Sequence, residues 1–254
     1  MKNRNRDRKV LFVIIEGMSD ELFFFDALER YTNEQIIIKS YGGDIFTDPA
    51  QETTPIRERI RNFFIDRLGD LQLKDIVGII HISDTDGSYI PDEKVIIDEN
   101  QQAPCNYSQD GIFVKEWMEK EKIEKRNQTK RQNTVAAASL DHVQYKRAKI
   151  PYRLFYLSQN LEHAIFGRLN VPSGRKVKNM AAYLKKVRGT AAIGELLKSL
   201  LPPIDEMCID KHQNSWDFIM DSDHSLQRFS NTSLMYEFIS EISGSQDGKD
   251  TILT

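Results

Sequence analysis

Apolar residues in the first third of the chain come in unbroken runs that stop at glycine or acid, rather than alternating with polar ones. Residues 9–16, KVLFVIIE, are apolar from Val10 to Ile15 and end in a carboxylate, the pattern of a strand covered on both faces. Gly17 and Met18 then turn the chain, Ser19 can cap a helix, and Asp20 and Glu21 suit the positive end of a helix through FFFDALERY. IIIKSYGG at 36–43 is a β-branched run stopped by two glycines. PIRERIRNFFIDRL at 55–68 has helical spacing at Ile56, Ile60, Phe63, Phe64 and Leu68. DIVGIIHIS at 75–83 is a third strand, running directly into Asp84-Thr85-Asp86-Gly87.

From 88 to about 148 this rhythm breaks. A polar loop with Pro91, Pro104 and Cys105 precedes a charged stretch, VKEWMEKEKIEKRNQTKRQN, and a small-residue segment, TVAAASLDHV. IPYRLFYLS at 150–158 resumes as a fourth strand, and Leu161, Ile165 and Leu169 share one face of the helix after it. Segments 176–200 and 233–242 read as helical, parted by an irregular loop at Pro202-Pro203. The pattern predicts an α/β fold with a parallel sheet flanked by helices. Its core takes residues 1–90 and 150–175, with a mostly helical insertion at 91–149, a helical C-terminal part of the same domain at 176–243, and a flexible polar tail at 244–254.

A chain of 254 residues can bury one sizeable core. No apolar run approaches the roughly 20 residues that span a bilayer. Cys105 and Cys208 show no paired spacing, as expected of free thiols in a reduced, cytoplasmic protein. The net charge of −3 does not announce a nucleic-acid binder, so any such role needs a local basic surface. Residues 115–149 offer one, with ten Lys or Arg against five Asp or Glu.

Candidate chemistry lies at the strand ends. A hard divalent cation takes several oxygen ligands, and carboxylates at neighbouring strand ends of one sheet can converge on it. Glu16, Asp84 and Asp86 are placed for this. In an extended segment Asp84 and Asp86 point to one side while Thr85 turns away to pack. Gly17 and Gly87 leave room for a phosphate. The plain alternative is that these acids are solvated turn residues.

The order strand-Glu-Gly, helix, strand-Gly-Gly, helix, strand-DxDG resembles the Toprim domain, the metal-binding fold shared by topoisomerases, bacterial primases, small ribonucleases and OLD-type nucleases. The resemblance covers residues 9–90 and the fourth strand. It implies a Toprim-like Rossmannoid sheet in which Glu16, Asp84 and Asp86 hold Mg2+ or Mn2+. OLD-like members carry an acid four residues after the first glutamate, where Asp20 stands here, either as a ligand of a second metal or as a partner of the helix dipole. The segment from Ser158 to Glu162 is similar to the S-x-x-x-E stretch of phage-defence Toprim proteins, the RloB-like and OLD-like groups. If the fourth strand lies beside the first or third, Glu162 joins the same cleft and completes a two-metal site.

The resemblance thus implies a metal-dependent nuclease that cleaves DNA or RNA in anti-phage defence, of the abortive-infection kind. It would act alone or beside a separate ATPase subunit, since this chain carries no GxxxxGK[ST] of its own. The zinc-ribbon cysteines of primases and a topoisomerase tyrosine context are missing as well. For the substrate backbone, Lys178 with Arg175 after the fourth-strand helix is the first choice. Lys125, Arg126, Lys130 and Arg131 of the insertion either grip phosphates nonspecifically or belong to a solvated helix laced with Glu116, Glu119, Glu121 and Glu124. His81 and His163 read as packing residues, and His212 and His224 have no partner at metal-ligand spacing. Two further readings stay open: a noncatalytic Toprim-like effector or regulatory subunit, and a phosphotransfer enzyme or phosphatase.

Overall fold

The apolar runs become the inner strands of one sheet in the computed structural model of the protein, which describes residues 8–29, 36–187, 190–205 and 207–244. In chain order the elements are β1 (Lys9–Ile15), α1 (Met18–Glu29), β2 (Ile36–Gly42), α2 (Ile56–Leu68), β3 (Ile76–Asp84), β4 (Val95–Ile97), β5 (Cys105–Tyr107), β6 (Ile112–Val114) and α3 (Trp117–Ala138). They continue with β7 (His142–Tyr145), β8 (Ala148–Leu157), α4 (Leu161–Phe166), α5 (Ser173–Leu184), α6 (Thr190–Ser199), α7 (Lys211–Met220) and α8 (Met235–Gly244). The main sheet has the order β2-β1-β3-β8-β7, with the first four strands parallel and β7 antiparallel at the edge.

Because side chains alternate along a strand, each inner strand feeds two cores. Leu11, Val13 and Ile15 of β1 pack with Phe23, Phe24 and Leu28 of α1 and with apolar residues of α4, α5, α6 and α8. Val10, Phe12 and Ile14 pack on the other face with Ile60 and Phe64 of α2, Ala137 of α3 and Trp216 of α7. Helices thus cover both faces of a mostly parallel sheet, a Rossmannoid three-layer arrangement. Among the described residues no helix is long and apolar enough to cross a membrane.

The insertion departs from the expected mostly helical segment. It holds the long helix α3, but also a separate sheet of order β4-β6-β5 and the edge strand β7. Strands of three residues are too short to leave a periodic trace in the sequence. The small sheet has its own core of Val95, Ile112 and Val114, joined by Ile123 of α3 and by Leu226. The C-terminal part also holds α7, inside the stretch expected to be irregular. Asp210 caps it by accepting from the Gln213 amide, and it buries Trp216 and Ile219. The tail from 245 onwards lies outside the described residues, as do the N-terminal basic residues Lys2, Arg4 and Arg6.

Candidate metal centre

β1 sends the chain to β2 on one side and, after α2, to β3 on the other. That reversal opens a crevice beyond the carboxyl ends of β1 and β3, the place where open α/β sheets bind ligands. Glu16 follows β1 and Asp84 ends β3, so both acids stand at the crevice. Glu16 reaches across to β3: its Oε1 accepts from the Ser83 hydroxyl at 2.6 Å and from the Asp84 amide at 3.2 Å.

Beyond Asp84 the chain is not extended, contrary to the expectation that Asp84 and Asp86 share one side of a strand. The Thr85 amide donates to the Leu157 carbonyl and the Asp86 amide to the Gln159 carbonyl, lacing the turn to the end of β8. Asp86 adopts a left-handed φ of 51°. The strand ends where Asp86 turns left-handed and the Ser88 amide donates back to the Thr85 carbonyl, so the turn, not strand alternation, sets where Asp86 points. Thr85 is buried as expected, its hydroxyl accepting from the Gln159 amide. Gly87 does not open space for a phosphate. It has a φ of 65°, and a Cβ there would sit 2.8 Å from Leu226, so its lack of a side chain serves packing.

β8 lies beside β3, so α4 starts at the same edge and delivers Glu162. Asn160 caps this short helix by accepting from the His163 amide, and Gly167 ends it with a left-handed φ of 64°. Glu162 is 1% exposed, and its Oε1 has no hydrogen-bond partner. Asp20, in the first turn of α1, is also buried and accepts from the Gly17 backbone amide, a cap-like bond at the helix end where its dipole was expected to act. Helix α1 itself begins at Met18, one residue before the expected cap Ser19.

Of the expected cations, Arg126 and Lys130 meet the acids, whereas the first choice, Lys178 with Arg175, does not. Arg175 and Lys178 are exposed on α5, whereas Lys176, between them, sets its Nζ 2.9 Å from Glu162 Oε2. From the insertion it is Lys130, not an exposed lysine, that meets the site. Lys130 is 1% exposed, its Nζ pairs with Asp86 Oδ2, and it stands 3.3 Å from Glu16 Oε1. Arg126, one turn earlier, donates to the Asp86 carbonyl at 3.0 Å and to the Tyr107 hydroxyl at 2.7 Å. A signal for Lys130 exists in hindsight: Ile123, Asn127, Lys130, Thr134 and Ala137 recur at helical spacing and form the buried stripe of α3. Its polar members Asn127, Lys130 and Thr134 interrupt the apolar periodicity that marks a buried helix face.

The carboxylates feel one another. Burial, then Asp20, Glu16 and Asp86, push Asp84 well above the usual carboxylate range, with Lys130 opposing. Burial, then Glu16 and Glu162, raise Asp20 to about 7, against Lys176 and the Gly17 amide. Glu16 is raised chiefly by burial. Burial also pushes Asp86 upward, but Lys130 and Arg126 outweigh it and hold this acid low. The acids therefore divide. Asp86 is satisfied by fixed cations, while Asp20 and Asp84 sit where a negative charge lacks compensation.

Such a set suits a hard divalent cation in donor chemistry, and the orphaned buried Oε1 of Glu162 is the kind of oxygen a cation would satisfy. Among the described residues no three His, Cys, Asp or Glu side chains already close on one point, so a cation would have to draw them together. The histidines stay out of this chemistry. His81 is fully buried, stacks on Phe46 and bonds the Tyr152 hydroxyl; His163 is buried beside Glu162; His212 donates to the Leu154 carbonyl; His224 stacks on Phe218. No protein-family model, curated protein or solved structure matches the chain.

Proposed function

We propose that the protein is a Toprim-type, Mg2+- or Mn2+-dependent nuclease that hydrolyses phosphodiester bonds, acting in anti-phage defence. The observation that carries this reading is the meeting of Glu16, Asp20, Asp84, Asp86 and Glu162 at the switch point of a parallel sheet, with their charge incompletely neutralised. A divalent cation held there would polarise a phosphodiester oxygen and lower the pKa of a bound water to make a nucleophile. The chain's own residues prepare the site. The Ser83 hydroxyl and Asp84 amide aim Glu16, Lys176 aims Glu162, and Arg126 pins the Asp86 turn to α3. A hollow of about 270 Å³ beside Arg126 is lined by Lys122, Lys125 and Thr129 of α3 and by Asp48 and Glu52, with Lys125 paired to Glu52 at 3.2 Å.

The test is cleavage of DNA and of structured RNA with and without Mg2+ or Mn2+. Asp84→Asn and Glu16→Gln should each lower metal-dependent cleavage by at least about 10²-fold. Wild-type activity surviving both changes overturns the assignment. One observation favours a second reading: an ammonium, that of Lys130, already bridges Glu16 and Asp86. A noncatalytic subunit that binds nucleic acid or a partner ATPase would show retention of nucleic acid without turnover at any metal concentration.

A further inference from the structure

The charges at the switch point are unequal in a specific way. Five carboxylates, those of Glu16, Asp20, Asp84, Asp86 and Glu162, face the three cations Lys130, Lys176 and Arg126, an excess of two negative charges when all are ionised. Lys130 cannot leave its place cheaply. Its side chain is 1% exposed, and the helix that bears it is fastened on both sides. Arg126 donates to the Asp86 carbonyl, the Asn133 amide to the Phe46 carbonyl at 2.7 Å, and Thr134 bonds the Tyr89 hydroxyl. Withdrawing the ammonium would strand Glu16 and Asp86 together, or leave Lys130 buried without a partner, and either is costly in a site of low polarity. Among the described residues Lys130 pairs with Glu16 and Asp86 but not with Asp84, Asp20 and Asp84 have no ion pair, and the buried Oε1 of Glu162 accepts no hydrogen bond.

We infer that Lys130 is a built-in cation occupying the Glu16–Asp86 half of the site, so that the chain takes a single divalent metal, on the Asp20–Asp84–Glu162 half. This rests on the metal-dependent reading above and refines it. The two acids of the DxD turn then have different tasks: Asp84 serves the metal, and Asp86 serves the lysine. One divalent ion would cancel the two excess charges. Lys130 is a positioning residue in this arrangement, fixing Glu16 and the Asp86 turn.

Mn2+ binding measured by calorimetry and by electron paramagnetic resonance tests this without reference to cleavage. The wild-type chain should bind one Mn2+. Glu162→Gln should weaken binding at least about tenfold, while Asp86→Asn leaves it within about threefold, as expected for changes inside and outside a coordination sphere. Lys130→Met should bind two Mn2+ and gain more thermal stability from Mn2+ than the wild type does, because the metal then replaces the lost ammonium. Should Lys130→Met fold poorly without metal, the Glu162→Gln and Asp86→Asn pair still decides the matter. Two Mn2+ per wild-type chain, or loss of binding on Asp86→Asn with Glu162→Gln unaffected, overturns the single-metal inference and leaves the metal-dependent reading standing. Wild-type protein that binds no Mn2+ overturns both.

Discussion

Asp84 shows what the site demands of a single residue. Its amide donates to Glu16 while its carboxyl lies near Asp20, Glu16 and Asp86, and burial makes the ionised form still more costly. Neutralising it should therefore stabilise the protein without metal while removing a ligand of the proposed metal. Asp84→Asn is expected to raise the thermal midpoint without metal, by about 1 kcal/mol of stability, and to abolish the further rise that Mn2+ gives the wild type. Thermal unfolding with Mn2+ and with chelator measures both; a midpoint that falls without metal would mean that Asp84 is a structural acid. Glu16, Asp84 and Asp86 were legible as candidates, and as neighbours at one end of the sheet, because they close apolar runs. Lys130 stood out only as one of four insertion cations, because its contact with the acids comes from tertiary packing that buries it.

At the level of elements, the site depends on a helix of only six residues. α4 is too short to hold together through its own hydrogen bonds, so its cap and its docking decide where Glu162 points. Asn160→Ala removes the side chain that accepts from the His163 amide and should cost about 1 kcal/mol, read from urea unfolding. It should also weaken Mn2+ binding, since Glu162 lies one turn from the cap. Unchanged metal affinity would show that Lys176 and packing alone fix the carboxylate. Strands β1, β3 and β8 announce themselves through long apolar runs, and their adjacency was the condition set for Glu162 to enter the cleft. β4, β5 and β6 were hidden by their length, and α7 because a stretch divided by Pro202-Pro203 carries too few apolar residues for a period to show.

For the molecule as a whole, stability should depend on pH through histidines packed around the sheet. Burial, with Lys130 adding to it, lowers His81 to about 3, and burial lowers His212 to about 4 despite its bond to the Leu154 carbonyl. Below their ordinary value of about 6.5 the unfolded chain takes up protons that the folded chain refuses. Stability contributed by the neutral rings is thus complete above pH 6.5 and is lost as pH falls toward 4, with a slope nearing about 1.4 kcal/mol per pH unit for each histidine. Urea unfolding between pH 4.5 and 7.5 should show this limb, shallower in His81→Phe, and an unaltered slope in that variant would assign the acid sensitivity elsewhere. What the sequence determined by itself was local: where strands lie, that the first, third and last long strands are buried, and that acids end two of them. Only the tertiary structure decided the rest. The order β2-β1-β3-β8 put α4 and Glu162 at the same end of the sheet as Asp84, a left-handed turn at Asp86 took the Asp84–Asp86 segment out of its strand, and the packing of α3 carried Lys130 into the acids. Those outcomes turn on contacts between residues tens of positions apart, which periodicity along a chain does not encode.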